Sequence, residues 1–246
     1  MTSWPNRGSG RPWVYGHRGA RGTVDENTLL SFETALAEGA DGIELDVRLN
    51  HEGAILVFHD ETLERMTDGR DRREVFDVPT SELAKVALSR GGAIPQLSEV
   101  LEWASRRDLF LNVELKPRHD DAQRLTARVM QEILSTAERR LQSRILLSSF
   151  SPDVVAQAAA QQWPLPIAFL VDPKSPLMPP DVGANHYGVH PHHTLVGPNQ
   201  LAEFREVGTF INVWTVNERR VAEEMNALRI DGLVTDEPRK IRDLFE

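Results

Sequence analysis

Three short segments of the 246-residue chain end in groups that can move protons or hold a metal. VYGHRGA carries His17 and Arg18, IELDVR carries Glu44 and Asp46, and LNVELKP carries Glu114 and Lys116. Each group follows an apolar, β-prone run, so each reads as the end of a strand. In a strand, residues two apart share a face. Glu44 and Asp46 therefore point the same way, as do Glu114 and Lys116. Neighbouring carboxylates repel unless a cation lies between them. Three of them form an oxygen-only donor set in a chain without cysteine. Such a set suits one hard divalent cation, Mg²⁺ or Ca²⁺, rather than zinc. The competing reading is structural, with the acids neutralised inside a core by Arg18, Arg48 and Lys116. It accounts for Glu44 and Asp46 alone more readily than for all three acids beside histidines.

His17 and His59 supply imidazoles, the side chain whose ordinary pKa lies near neutral pH. His59 closes the segment VFHD, which returns to the end of the second strand. Two imidazoles beside an acidic cluster suggest a general acid and a general base. Arg18 offers a fork for phosphate oxygens and Lys116 a point charge. Trp214 in VWTVN, Phe150 in SSFS and His190 are candidate pocket-lining residues, each with a plain packing role as its alternative. His186, His190, His192 and His193 resemble a metal tract but fit no standard zinc spacing. Asp236 reads as a helix cap or rim hydrogen-bonder rather than a ligand. Arg70 to Arg73 reads as a solvated turn.

What must position these groups is a regular alternation of strands and helices. Strands are expected at 13–17, 42–47, 109–115, 144–148, 166–171, 184–190, 210–215 and 231–235. Helical spacing falls at 28–38, 98–106, 121–139, 152–161, 199–207 and 217–228, with caps expected at Asn27 or Thr28, Ser98, Ser151 and Asn217. Strands joined by crossovers imply a parallel sheet covered by helices. The count and length fit an α/β fold of the TIM-type (β/α)₈ barrel class, which runs to about 250 residues. An open doubly wound sheet is the looser alternative. Residues 49–108 are too long for a plain crossover. They read as a small inserted subdomain between strand two and strand three, opening with a hairpin that turns at Glu52 and Gly53. An insertion at that end of a barrel lies over its functional face. Residues 1–246 are thus read as a single domain, with the first ten as a loose arm.

The net charge of −9 argues against nucleic acid or an anionic membrane as partner. A small phosphate ester needs a local concentration of cations, which the named residues supply. No apolar run reaches membrane-spanning length. The opening residues carry no apolar core of a secretory signal, and with zero cysteines a cytoplasmic location is expected. A monomer or homodimer is expected.

These segments also carry a resemblance. GHRGARGTVDENTLLSF, GADGIELDVRLNHEGAILVFHDETLERMTDG, IPQLSEVL, LNVELKP and VWTVN with GLVTDEP closely resemble the bacterial glycerophosphodiester phosphodiesterase family, over residues 14–238. The resemblance implies a (β/α)₈ barrel with an inserted subdomain. It implies Glu44, Asp46 and Glu114 as metal ligands, His17 and His59 as acid and base, and Arg18 and Lys116 at phosphate-contacting positions. It further implies hydrolysis of glycerophosphodiesters, such as glycerophosphocholine or glycerophosphoethanolamine, to glycerol 3-phosphate and an alcohol. His17 as base and His59 as acid is the favoured order, with the reverse open. Attack by water, or by the glycerol 2-hydroxyl through a cyclic phosphate, are both compatible. Asp25 stands where the family has Pro, Asn50 where it has Thr, and Glu237 where an aromatic or Arg is usual; these affect loops rather than the chemical groups. Two rivals remain: a phospholipase D-like enzyme acting on lysophospholipids, and a non-catalytic phosphodiester-binding module. A barrel enzyme of enolate chemistry would need a lysine base instead of the histidine pair.

Overall fold

A computed structural model describes residues 10–161, 163–174 and 187–246. Among the described residues, nine strands build one sheet. They are β1 (Trp13–His17), β2 (Gly42–Leu49), β3 (Ile55–Val57), β4 (Phe110–Leu115), β5 (Ile145–Ser149), β6 (Ile167–Val171), β7 (Tyr187–Pro191), β8 (Phe210–Val213) and β9 (Gly232–Thr235). All except β3 pair in parallel, and β1 bonds both β9 and β2, so the sheet closes into an eight-stranded barrel. β3 lies outside the ring, antiparallel to the end of β2. The fold is a TIM-type (β/α)₈ barrel.

The strands are buried almost throughout because helices cover their outer faces. Those faces supply Val14, Ile43, Leu45, Val113 and Leu147 to one large apolar cluster shared with the helices. The barrel interior is plugged by Tyr15, Phe110, Leu146, Ala168, Phe210 and Val234. This plug leaves polar side chains only toward the strands' C-terminal ends. Its bulk needs Gly42 opposite: a Cβ there would lie 2.6 Å from the Phe110 carbonyl and 2.9 Å from the Tyr15 ring.

Helix starts follow local chemistry. Thr28 accepts from the Ser31 N–H, and Ser151 with Pro152 opens the helix after β5. Two expected caps are displaced. The helix Leu97–Ser105 begins after Gln96, whose N–H donates to Glu99, rather than at Ser98. The helix after β8 begins after Glu218, because Asn217 is drawn into the barrel rim instead. The expected helix 121–139 breaks where Ala137 and Glu138 turn extended, giving Ala122–Thr136 and Arg139–Gln142. The first nine residues, His186 and the start of the strand expected at 184–190 lie outside the described residues.

Between β2 and β4 the chain makes its own small core from Leu56, Phe58, Leu63, Met66, Val75, Val78, Leu83, Leu88 and Ile94. The hairpin turns at Gly53, whose φ of 84° favours glycine. Two of the three departures from the family pattern tie this insertion down. Asp25 accepts from the N–H groups of Arg90 and Gly92, and Asn50 donates to Thr80 and accepts from Ala54. Asn50 thus gives the hairpin base a second polar anchor, and Asp25 stitches the β1 loop to the insertion.

Because Gly42 faces a filled plug, Gly42→Ala should destabilise the fold by about 1–3 kcal/mol through overpacking. Urea unfolding would measure this; an unchanged midpoint would show that the plug is looser than described.

Candidate active site

Barrel closure brings the three strand ends to one level. His17 pairs in register with Glu44, and Asp46 with Glu114. Inward-facing neighbours on adjacent parallel strands are thus side by side. Carboxylate oxygens of Glu44, Asp46 and Glu114 lie within 4.8 Å of one another, and all three residues are buried. It is the only such donor cluster among the described residues. Lys116 follows directly, and the β3 hairpin returns His59 to the same mouth, where His17, Arg18, Glu44, His59, Glu114 and Lys116 line one cavity of about 310 Å³.

The negative charge is only partly balanced. Lys116 Nζ sits 2.6 Å from Glu114 and 3.4 Å from Asp46, and Arg18 Nε is 3.1 Å from Asp46. Asn27 donates to Asp46 and accepts from its N–H. Burial alone would raise the Asp46 carboxyl, but Lys116 and Arg18 hold it far below the usual range. Glu44 is different. Its oxygen accepts the Arg18 N–H at 3.0 Å, yet no lysine or arginine side chain pairs with it among the described residues. Burial, then the neighbouring charges of Asp46 and Glu114, push its pKa well above the ordinary value. One Asp46 oxygen also has no hydrogen-bond partner. An under-compensated acid and an unsatisfied oxygen, both buried in an oxygen-only set, fit a hard divalent cation. The residues that could hold it are Glu44, Asp46 and Glu114.

Each histidine is backed by a carboxylate. His17 Nδ1 lies 2.6 Å from Asp236, which Asn217 in turn holds at 2.7 Å. Asp236 is thus a rim hydrogen-bonder. His59 Nδ1 lies 2.6 Å from Asp60. Both carboxylates are held below the ordinary range despite burial, mainly by these hydrogen bonds. An ionised partner at Nδ1 makes that nitrogen the donor and leaves Nε2 for the cavity. Burial lowers the His17 pKa, favouring neutral imidazole. The Asp60 support extends further: Arg65 Nε donates to Asp60 at 2.6 Å, Arg65 also grips Glu26, and Glu26 holds Arg18 at 2.7 Å.

The roles of Asp60, Arg65 and Glu26 emerge only in the folded protein. Asp60 is adjacent to His59, a proximity the motif displays, but the Arg65 and Glu26 partnership bridges 39 positions. Asn112 was readable: it lies two before Glu114 on the same strand face and lines the cavity with Asp172 from the end of β6.

The far wall is formed by Phe150 and Trp214, in edge-to-face contact at 5.3 Å, with Lys116 5.6 Å above the Phe150 ring. His190 also lines the cavity, its Nε2 3.1 Å from Asn212 and its carbonyl accepting from the Trp214 indole. Burial pulls the His190 pKa down to about 3, so it stays neutral. His192 and His193 pack against each other and join no donor cluster among the described residues.

A closed parallel barrel with a buried acidic cluster at its strand C-termini is an enzyme architecture, since chemistry in such barrels is done at that face. The glycerophosphoryl diester phosphodiesterase family model matches residues 17–240. A glycerophosphodiester phosphodiesterase of Caldanaerobacter subterraneus is 30% identical over 241 residues, covering 94% of this chain and 96% of its own. One from Bacillus altitudinis is 32% identical over 238 residues, covering 92% and 94%. The solved structure of an Oleispira antarctica phosphodiesterase in complex with the product sn-glycerol-3-phosphate superposes with a TM-score of 0.83, at 26% identity, over 95% of this chain and 96% of that one. The chain belongs to the glycerophosphoryl diester phosphodiesterase family, and it is an enzyme of that family.

Burial and its acidic neighbours raise the pKa of Glu44 in the folded protein. Its folded value lies above the unfolded one, so the proton it carries stabilises the cation-free protein at low pH. That stability is lost as pH rises from the ordinary carboxylate value through the raised one. A bound cation must displace the proton, so its affinity should climb with pH. The rise in Tm on adding Mg²⁺ or Ca²⁺ should therefore be larger at about pH 8 than at about pH 5. A shift independent of pH would show that Glu44 takes no part in cation binding.

Proposed function

We propose that the enzyme hydrolyses glycerophosphodiesters to sn-glycerol 3-phosphate and an alcohol, with Mg²⁺ or Ca²⁺ held by Glu44, Asp46 and Glu114. The observation that carries this reading is the convergence of those acids with two carboxylate-backed imidazoles on one cavity of about 310 Å³. The product seen bound to the Oleispira antarctica phosphodiesterase supports the glycerol phosphate half. The cavity volume suits a small polar diester. Among the described residues no helix is long and apolar enough to cross a membrane.

When bound, the cation offsets charge developing on the phosphate's non-bridging oxygens. Arg18 and Lys116 add fixed positive charge on the same group. Both are already oriented by acids: Arg18 by Glu26 and Asp46, Lys116 by Glu114. They need little reorganisation as charge develops. His17, kept neutral by burial and tethered at Nδ1 by Asp236, turns Nε2, 3.9 Å from Glu44, toward the cavity to take the nucleophile's proton. His59, tethered at Nδ1 by Asp60, delivers a proton from Nε2 to the departing oxygen. Phe150 and Trp214 give the glycerol carbons an aromatic wall.

Replacing His59 with Ala should lower turnover by about 10²–10⁴-fold with folding retained. Near-normal kcat in a coupled assay of glycerol 3-phosphate release, at saturating metal and substrate, would remove His59 from the chemistry. Exhaustive chelation should abolish activity, and Mg²⁺ or Ca²⁺ should restore it. Full activity after chelation would separate the acidic cluster from catalysis.

A further inference from the structure

A second cavity, of about 190 Å³, opens beside the first and shares Lys116 with it. Its walls are Arg48 from β2, Glu61, Glu74 and Phe76 from the insertion, and Arg118 after β4. Most cations around the barrel mouth have a partner at close range. Glu26 is 2.7 Å from Arg18 and 2.6 Å from Arg65, Glu114 is 2.6 Å from Lys116, and Glu74 is 3.1 Å from Arg118.

Arg48 is paired less closely and is the more buried of the two arginines there, with Arg21, that lack a short contact to an acid. Its side chain is only 12% exposed, and its Nε donates to the His59 carbonyl at 2.7 Å. Its nearest acid is Glu61, at 3.8 Å, beyond hydrogen-bond reach and 72% exposed. Among the described residues, the terminal N–H groups of Arg48 make no hydrogen bond. A largely buried guanidinium with an unengaged fork, facing a cavity, is a receptor for a planar carboxylate. Glu61, exposed at the opening, has the opposite sign and can meet an ammonium group beside that carboxylate.

The position assigns the role. Lys116 stands between the two cavities and beside the acidic cluster, so a phosphodiester held there has one substituent on each side. Phe150 and Trp214 suit the carbon face of glycerol; the other substituent points past Lys116 to Arg48. Resting on the hydrolase reading above, we infer that the Arg48 cavity receives the departing alcohol and selects one that carries a carboxylate. A serine-like amino hydroxy acid esterified to glycerol phosphate has the matching charges and size. The reaction is unchanged: the P–O bond to the serine oxygen breaks, that oxygen takes the proton from His59, and the oxygen of water becomes bonded to phosphorus.

Glycerophosphoserine and glycerophosphoethanolamine differ only in the carboxylate, so their kcat/KM ratio reads the subsite directly. With Mg²⁺, the wild-type protein should favour the serine diester by about tenfold or more, the equivalent of one charge-assisted hydrogen bond. Arg48→Gln should bring the ratio close to one, and Arg48→Lys should retain part of it. Methyl esterification of the substrate carboxylate should cost the wild-type protein the same factor, a test that needs no variant to fold. Equal or better turnover of the ethanolamine diester by the wild type would overturn the inference. So would an equal loss on both diesters in Arg48→Gln, the result expected of an arginine that only holds the His59 carbonyl. Failure to hydrolyse either diester would instead overturn the hydrolase reading on which the inference stands.

Discussion

Like-charge repulsion among three buried carboxylates is the constraint to which the rest of the mouth is fitted. Two unit charges about 4.8 Å apart repel by about 3.5 kcal/mol at an effective dielectric of about 20. Three such pairs would approach the net stability of a whole domain. The fold therefore cannot place these acids together without placing cations among them. Arg18 and Lys116 relieve Asp46 and Glu114, while Glu44, with no lysine or arginine side chain paired to it among the described residues, has its pKa raised by burial and by its acidic neighbours. Even the backbone accommodates this: Arg18 and Asn27 both take left-handed conformations, with φ of 55° and 57°, and both contact Asp46. Left-handed backbone is unfavourable for arginine, and it persists here because the surrounding contacts over-determine it.

The insertion is attached to the barrel by charge as well as by packing. Glu26, itself buried, is gripped by Arg18 from the barrel and by Arg65 from the insertion. Arg65 also holds Asp60, which holds His59. A single acid thus aligns a cation beside the acidic cluster and, through two intermediates, one of the two imidazoles. Exposed ion pairs contribute little to stability. A buried and shared pair instead fixes geometry, because displacing either arginine would leave Glu26 charged and under-paired away from water. The second imidazole is held by Asp236 and Asn217, from the segments after β8 and β9, and Arg21 lies between Asp236 and Glu26, 3.4 Å from the one and 3.7 Å from the other.

Strand and helix positions were readable because apolar periodicity and caps are local. β1, β2 and β4 lie where the pattern put them, within a residue or two. The helix break at Ala137 and the withdrawal of Asn217 from capping were not readable, since tertiary partners decide both. The same division holds for the site. The pairing of Glu44 with Asp46, and of Glu114 with Lys116, follows from the two-residue repeat of a strand. That Lys116 would lie against Glu114 rather than reach freely into the cavity does not.

By itself, then, the chain determined which residues face inward at each strand end, the oxygen-only character of the donor set, and its kinship to a family of diester hydrolases. These depend on side-chain type and on spacings of two to four residues. Only tertiary structure decided which carboxylate backs which imidazole and which arginines are left without a close partner. His17 and Asp236 are 219 positions apart, and nothing but closure of the barrel between its first and last strands brings them within 2.6 Å.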